Sequence, residues 1–143
     1  TYGLFEHNQS KKHIWIFNTH FDHMGEIARR KSSELILQKI NDLNSFSGPI
    51  ILMGDFNSLP NSKPVYTILK EFKDAFNIAL NKPQGPKGTY NGFNEDQPIE
   101  KRIDYIYLKN IDVLNHEHID DRLENKNHIS DHLPVIVDLI IKH

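Results

Sequence analysis

The sequence predicts a mixed α/β (α+β) fold in which layered β-sheets are covered by outer helices. Two observations support this class: short apolar stretches typical of strands recur along the chain, and the segments between some of them carry apolar residues at helical spacing. A third is that no internal repeat or low-complexity tract interrupts the pattern. We therefore expect the 143 residues to belong to a single domain spanning 1–143.

The first elements are predicted to be a hairpin and a helix. Strand-like residues at 1–5 and 13–19 flank a polar stretch, which is typical of antiparallel pairing. From Gly25 to Leu43, apolar and charged residues follow helical spacing, which predicts an amphipathic helix. The predicted buried stripe consists of Ala28, Leu35, Ile36, Ile40 and Leu43, and the solvated face carries Arg29, Arg30 and Lys31.

The middle of the chain predicts a buried strand, a second helix and a long loop. The apolar run 50–53 is too short for a helix and is typical of a strand buried on both faces. A helix is predicted from near Pro64 to just before Asn77, with Asn61 or Ser62 as its cap. Residues 81–98 are rich in Asn, Pro and Gly and predict a loop, with a short strand at 89–93.

The last third of the chain predicts three strands, at 103–108, 113–118 and 135–141, with a polar loop at 120–130. Tyr105 and Tyr107 are predicted to pack within a sheet. The histidines without a motif context are predicted to lie on the surface; they are His7, His13, His116, His118, His128 and His143.

Composition excludes several classes of function. The net charge is only -2 and the isoelectric point is about 6.5, so no overall positive field is available to hold a polyanion. The absence of cysteine excludes disulfides, thiolate metal sites and a cysteine nucleophile, and it does not indicate a cellular compartment. No apolar run reaches the roughly 18 residues that a transmembrane helix needs. Because the chain opens in strand-like sequence without Met, we expect it to be a fragment.

Four clusters of Asp, Asn and His lie at or beside the ends of predicted strands. They are Asn18-Thr19-His20, Gly54-Asp55-Phe56-Asn57, Arg102-Ile103-Asp104-Tyr105 and Ser130-Asp131-His132. Strand ends gather in space when the strands share a sheet, and ionisable groups beside apolar strands are costly to bury unless they satisfy one another. The clusters therefore predict a polar cleft at one rim of the sheet.

In this order, the four clusters resemble the motifs of the endonuclease/exonuclease/phosphatase (DNase I-like) family, and the similarity extends from Ile14 to Ile141. The resemblance implies a two-sheet β-sandwich with outer helices, of which this chain would supply about the C-terminal half. It also implies a metal-dependent phosphoester hydrolase that uses in-line attack by water.

The resemblance implies a role for each motif residue. Asp55 would orient the attacking water or accept its proton, and Asn57 would hold water or phosphate through its amide. His132 would donate a hydrogen bond to the phosphoryl group while Asp104 stabilises its charged form, and His20 would approach another phosphate oxygen.

The cofactor implied is Mg²⁺, with Mn²⁺ as an alternative, and Asp131 would contact it directly or through water. In the family the main acidic metal ligand comes from the N-terminal half, so the isolated chain is expected to be weakly active or inactive. The expected partners are that half, a second copy of the chain bound through exposed apolar surface, and a phosphoester substrate. Substrates used by the family include nucleic acids, phospholipid head groups, inositol phosphates and small phosphodiesters.

Several alternatives remain open at the level of sequence. The Gly54–Asn57 and Ser130–His132 motifs are also compatible with simple turns, Asp104 with a structural ion pair to Arg102, and His20 with a structural role. Thr89 and Tyr90 resemble a family position near the substrate, although turn chemistry also explains this loop. The segment 20–23 echoes the zinc motif of metallo-β-lactamase-type hydrolases with Asn18 in place of the first His. A non-catalytic binding or assembly module is the third alternative.

Overall fold

The computed structural model describes residues 1–44 and 48–141. The strands are β1 Tyr2–Glu6, β2 His13–His20, β3 Ile50–Asp55, β4 Lys73–Asp74, β5 Asp104–Lys109, β6 Asp112–His118 and β7 Val135–Ile140. The helices are α1 Glu26–Leu43, α2 Lys63–Leu69 and α3 Ala75–Ile78. The predicted hairpin, the first helix and the strands of the last third are confirmed, with boundaries shifted by one or two residues. The predicted surface residue His143 lies outside the described residues.

The strands of the described ranges form two sheets. The larger has the order β1-β2-β3-β5-β4, in which β2 and β3 are parallel and the other pairs are antiparallel. The smaller is an antiparallel pair of β6 and β7. One apolar cluster lies between the larger sheet and the helices, around Phe17, Leu52 and Ile68. A second cluster, around Leu108 and Val113, joins the larger sheet to the smaller one.

The second helix is shorter in the structure than the sequence predicted. The helix begins at Lys63, with Ser62 at the N-cap position, but it ends at Leu69. The chain then forms the two-residue strand β4, and Asp74 caps the short helix α3 by accepting a hydrogen bond from the Phe76 N–H at 3.1 Å. Phe72 is buried as predicted, but it lies beyond the helix. The predicted strand at 89–93 is reduced to isolated bridges at Tyr90.

The buried face of α1 also differs from the prediction. The buried residues are Ser33, Leu37 and Ile40, and Ile36 and Leu43 pack partly against the core. Ala28 is exposed, and the Leu35 side chain is 66% exposed. The stripe is therefore rotated toward Leu37, which belongs to the same helical face as Ser33 and Ile40 at i, i+4 and i+7.

Three of the histidines predicted to lie on the surface are buried: His116, His118 and His128. The first two point inward because β6 contains a register shift between Val113 and Asn115, which changes the phase of the inward and outward alternation. His128 is enclosed by Glu95, at 3.4 Å from its Nε2, and Asp120, at 3.5 Å from its Nδ1. Within the described ranges, no helix has the length and apolar character required to span a bilayer.

Candidate active site

The register of three neighbouring strands brings His20, Asp55 and Asp104 into one row. His20 at the end of β2 is paired with Asp55 at the end of β3, and Asp55 is paired with Asp104 at the start of β5. β2 and β3 are parallel while β5 is antiparallel to β3, so two carboxyl ends and one amino end meet at the same rim. The predicted clustering of these strand ends is confirmed.

Gly54 allows β2 and β3 to approach closely just before this row. Its φ is +139°, and a Cβ atom at this position would lie 1.9 Å from the carbonyl oxygen of Thr19. A side chain here would clash with backbone that cannot move independently of the sheet. The glycine is therefore required by the packing that places Asp55 beside His20.

The Asp55 carboxylate is held by the turn that follows β3. Its Oδ1 accepts a hydrogen bond from the Asn57 N–H at 2.7 Å, and its Oδ2 accepts one from the Asn57 side-chain amide at 3.1 Å. The same amide nitrogen donates to the Phe21 carbonyl at 2.9 Å, and Asn57 has a positive φ of 46°. Asn tolerates this left-handed conformation better than most residues do. Asn57 thus fixes both oxygens of Asp55 and ties the turn to the end of β2.

Asp104 orients His132 through a short hydrogen bond. The distance between Asp104 Oδ2 and His132 Nδ1 is 2.8 Å, and the hydroxyl of buried Thr89 donates to the same oxygen at 2.6 Å. Burial raises the pKa of Asp104, while the hydrogen bonds from Thr89 and His132 oppose this effect. With Nδ1 engaged in this way, the Nε2 atom of His132 faces the rim.

Two imidazoles converge on Asp55. His20 Nε2 lies 3.3 Å and His132 Nε2 lies 4.0 Å from Asp55 Oδ2. The His20 side chain is 73% exposed, whereas that of Asp55 is 16% exposed. Asp55, Asp104 and His132 place one ligand atom each within 4.8 Å of one another, and this group is able to hold a metal ion.

Asp131 lies next to His132, but among the described residues the group consists of Asp55, Asp104 and His132 and does not include it. The Ser130 hydroxyl is 3.5 Å from Asp131 Oδ1. The Asp131 backbone carbonyl accepts hydrogen bonds from the N–H groups of Asn91 and Gly92. The structure therefore ties the 130–132 segment to the loop at 91–92, and a metal contact by Asp131 stays a prediction.

The alternative in which Asp104 forms a structural ion pair with Arg102 is wrong, because Arg102 pairs with a different carboxylate. Arg102 donates to Asp74 through both terminal nitrogens, at 3.1 Å and 2.7 Å, and the two side chains are almost fully buried. The Tyr105 hydroxyl lies 2.7 Å from the Ser58 carbonyl and 2.9 Å from the Arg102 carbonyl, which fixes the backbone at Arg102 beside the residue that follows Asn57. The predicted packing of Tyr105 and Tyr107 within the sheet is confirmed.

The resemblance of residues 20–23 to a zinc motif has another explanation in the structure. Asp22 Oδ1 accepts hydrogen bonds from the N–H groups of Met24 and Gly25, so this carboxylate stabilises the turn that leads into α1. These two backbone hydrogen bonds, that from Gly25 first, lower the pKa of Asp22. Neither Asp22 nor His23 belongs to the metal-capable group found within residues 1–44 and 48–141.

Three positioning residues were undervalued or missed at the level of sequence. Thr89 also accepts hydrogen bonds from the N–H groups of Ile103 and Asp104, both at 3.1 Å, and Tyr90 packs edge-on against His132 with centroids 5.2 Å apart. Asn91 is buried, and its amide donates to the Ser130 carbonyl at 2.8 Å. The only signal in the sequence was that Thr89, Tyr90 and Asn91 follow one another in a glycine-rich loop. Their partners Asp104, His132 and Ser130 lie too far along the chain for a local pattern to reveal them.

Comparison with known proteins identifies the family. A sequence model described as the endonuclease/exonuclease/phosphatase family matches residues 4–132. The chain therefore belongs to the endonuclease/exonuclease/phosphatase family, and its fold is the DNase I-like α+β fold of that family. The motifs at the ends of β2, β3 and β5 and before β7 all lie within the matched range or at its end.

Individual relatives agree with this assignment. An uncharacterised protein of Acanthamoeba polyphaga mimivirus is 32% identical, over 92% of this chain and 51% of its own length. A structure of a conserved protein of unknown function from Enterococcus faecalis has a TM-score of 0.90 at 29% identity, over 99% of this chain and 55% of its own. A mannosyl-6-phosphatase from Bacteroides thetaiotaomicron has a TM-score of 0.88 at 27% identity, over 97% and 55%. The chain thus spans about half the length of the relatives it matches.

Proposed function

We propose that this chain supplies the catalytic side chains of a metal-dependent phosphoester hydrolase. The observation that carries the proposal is the convergence of His20 and His132 on Asp55, with Asp104 behind His132 at 2.8 Å. Membership of the endonuclease/exonuclease/phosphatase family and the similarity to a mannosyl-6-phosphatase support the same chemistry.

Asp55 acts on the attacking water in this proposal. Its side chain is mostly buried and its orientation is fixed by Asn57, so it can hold a water in one direction and accept its proton. Both hydrogens of the Asn57 amide are already used, toward Phe21 and Asp55, which leaves the amide oxygen to accept a hydrogen bond from water. Asn57 therefore positions Asp55 and the water together.

In this proposal the charged form of His132 stabilises the phosphoryl group. The Nδ1–H donates to Asp104, which favours the imidazolium, and the Nε2–H is free to donate to a phosphoryl oxygen at the rim. His20 would supply a second donor from the end of β2, and its high exposure allows it to move toward the substrate. The negative charge that develops in the transition state is thus met by preorganised donors.

The donor set fits a divalent cation only in part. Asp104 Oδ2 already accepts two hydrogen bonds and His132 Nδ1 is engaged, and each oxygen of Asp55 accepts a hydrogen bond from Asn57, so every member of the group keeps only part of its capacity to bind a metal. Mg²⁺ requires about six oxygen ligands and retains several waters. We propose that Asp131 contacts Mg²⁺ or Mn²⁺ directly or through water, and that the main acidic ligand lies outside this chain. The bound ion would neutralise charge on the phosphoryl oxygens.

We also propose that the rest of the domain packs against apolar side chains that this chain leaves exposed. On β1, Tyr2, Leu4 and Phe5 are 50%, 46% and 54% exposed, and on β7, Ile136 and Ile140 are 48% and 39% exposed. Apolar residues on neighbouring positions of a strand are typical of a surface that is covered in the complete protein. A second copy of the chain is the alternative partner, and a concentration-dependent mass in solution would identify it.

The test of the proposed function is hydrolysis of p-nitrophenyl phosphate and bis-p-nitrophenyl phosphate. The chain alone and the longer protein that contains it are assayed with Mg²⁺, with Mn²⁺ and with EDTA. We expect turnover by the longer protein that EDTA abolishes, and little or none by the chain alone. Comparable turnover by the chain alone would contradict the proposal of an external metal ligand. Turnover that survives EDTA and accompanies tightly bound zinc would instead support a zinc hydrolase.

A further inference from the structure

The main chain around His132 is held by a neighbouring loop. The N–H of Leu133 donates to the Thr89 carbonyl at 2.7 Å, and the N–H of Asn91 donates to the Asp131 carbonyl at 2.9 Å. Between these two contacts, His132 forms an antiparallel bridge with the same loop. We call residues 89–95 and 128–133 the loop pair. The position of His132 therefore depends on how firmly the two members of the loop pair are joined.

The first member of the loop pair turns sharply after Asn91. The N–H of Asn94 donates to the Asn91 carbonyl at 3.1 Å, and φ is positive at both Gly92 (60°) and Phe93 (57°). Such left-handed residues reverse the direction of the main chain within a few positions. Beyond this turn the loop pair is joined by a side chain, that of Glu95.

The Glu95 carboxylate binds the main chain of the second member at His128. The His128 N–H lies 3.0 Å from both carboxylate oxygens. The His128 ring is 1% exposed and lies between two acids, with Nε2 3.4 Å from Glu95 Oε2 and Nδ1 3.5 Å from Asp120 Oδ1. A charged acceptor binds an N–H more strongly than a neutral carbonyl does. Glu95 therefore supplies, at the end of the loop pair, the acceptor that main-chain carbonyls supply nearer to His132.

Arg122 fixes the orientation of Glu95. Its Nη1 donates to Glu95 Oε2 at 3.1 Å, while its Nε and Nη2 donate to the two oxygens of Asp120 at 3.0 Å and 3.2 Å. The planar guanidinium thus holds both carboxylates that flank the His128 ring. We call Glu95, Asp120, Arg122 and His128 the Glu95 clasp. The clasp joins the loop pair four residues before His132.

We propose that Glu95 is a positioning residue for hydrolysis, which acts through the 128–132 segment to hold His132 against Asp104. The inference rests on the proposed phosphoester hydrolase function. The Asp104 carboxylate fixes the His132 ring at 2.8 Å, and the Glu95 clasp fixes the main chain that carries this ring. A displacement of about 1 Å at a catalytic group, caused by a change far from the reacting atoms, is able to lower the rate by roughly 100-fold.

The first experiment measures kcat and KM in the full-length protein with Mg²⁺ and the better of the two p-nitrophenyl esters. We expect Glu95→Ala to lower kcat by roughly 10-fold and to leave KM within about twofold, because the misplaced His132 chiefly affects the transition state. Glu95→Gln keeps an oxygen that accepts from the His128 N–H, and it should retain at least about a third of the wild-type kcat. Glu124→Ala, at an exposed glutamate between Arg122 and His128, is the matched control and should leave both parameters unchanged.

A double-mutant cycle separates positioning of His132 from a general structural role. In a His132→Ala background, Glu95→Ala should lower kcat by less than about twofold, because the side chain that Glu95 positions is already absent. Equal losses from Glu95→Ala in the wild-type and His132→Ala backgrounds would overturn the inference. A Glu95→Gln variant as impaired as Glu95→Ala would also overturn it, since the hydrogen bond to His128 would then not be the cause.

Amide hydrogen exchange tests the same inference without any substrate. In Glu95→Ala, the Leu133 and Asn91 amides of the loop pair should exchange roughly 10-fold faster. The Trp15 amide, which donates to the Pro49 carbonyl at 3.1 Å, should be unaffected. Unchanged exchange throughout the loop pair would overturn the inference even in an active enzyme. Absence of hydrolysis of both esters by the wild type with Mg²⁺ and Mn²⁺ would instead refute the proposed function, and exchange alone would then decide whether Glu95 holds the segment.

Discussion

The buried ion pair between Asp74 and Arg102 is predicted to be essential for stability. The Arg102 and Asp74 side chains are 7% and 2% exposed, and the guanidinium lies 4.6 Å from the ring centroids of both Phe76 and Tyr105. Asp74→Ala would leave this cation enclosed by rings without its partner, which costs roughly 3–5 kcal/mol. Loss of the cap on α3 would add about 1 kcal/mol.

The assay is urea unfolding of the full-length protein at pH 7, followed by circular dichroism. We expect Asp74→Ala to lower the free energy of unfolding by about 4 kcal/mol or more. The double variant Asp74→Ala/Arg102→Met should lose less than the single variant, because the uncompensated charge is removed. Glu6→Ala is the control; it breaks a mostly exposed ion pair with Lys11 and should change stability by under about 1 kcal/mol.

Two outcomes would refute this reasoning. The first is a single variant within about 1 kcal/mol of wild type, which would mean that Arg102 finds water or another partner. The second is a double variant that loses as much stability as Asp74→Ala alone or more, which would mean that the uncompensated charge of Arg102 is not the cause of the loss.

Three further predictions concern the rim and the smaller sheet. Thr89→Val should lower turnover by roughly 10-fold, because Asp104 loses the hydroxyl that holds it at 2.6 Å. Gly54→Ala should reduce the free energy of unfolding by about 3 kcal/mol or more, measured in urea, because its Cβ would meet backbone at 1.9 Å and φ is positive. Burial, followed by the neighbouring charge of His118, lowers the pKa of His116 to about 4. Between pH 6.5 and 4 the unfolded chain therefore binds more protons than the folded chain does. As the pH is lowered from 6.5 to 4, the free energy of unfolding should decrease by up to about 3 kcal/mol.

Each of these predictions has a result that would contradict it. Full turnover in Thr89→Val would show that His132 alone positions Asp104. Normal stability of Gly54→Ala would mean that the end of β2 can move away from β3. For the acid window, the comparison is His116→Phe, whose urea midpoint should depend less on pH than that of wild type. Identical pH profiles would exclude His116 as the origin of the acid sensitivity.

The sequence was sufficient to predict the rim of the sheet, because the relevant signals are local. Each motif residue comes directly at the end or start of an apolar strand, and the alternation of strands and helices indicates which ends can meet. The family motifs then assigned a chemical role to Asp55, Asp104 and His132. The hydrogen bond between Asp104 and His132 joins residues 28 positions apart, and only the resemblance associated these two residues at the level of sequence.

The remaining features depend on contacts that a local pattern does not encode. The ion-pair partner of Arg102 is Asp74, which is also 28 residues away. At the level of sequence the nearer Asp104 was considered as that partner instead. His116 and His118 were predicted to lie on the surface because they have no motif context, whereas the register shift between Val113 and Asn115 changes the alternation of β6 and turns both inward. Asn91 was not singled out at all, because its role becomes visible only when Ser130 is seen beside it.

The measurement that tests the central claim most directly is the turnover of Asp55→Asn and His132→Ala in the full-length protein, with Mg²⁺ and the better of the two p-nitrophenyl esters. Asp42→Asn, on the exposed face of α1, is the matched control. The account predicts that each site variant retains its circular dichroism spectrum and loses turnover by roughly 100-fold or more, while the control stays within about twofold of wild type. Full turnover in both site variants would contradict the assignment of the catalytic site to this rim.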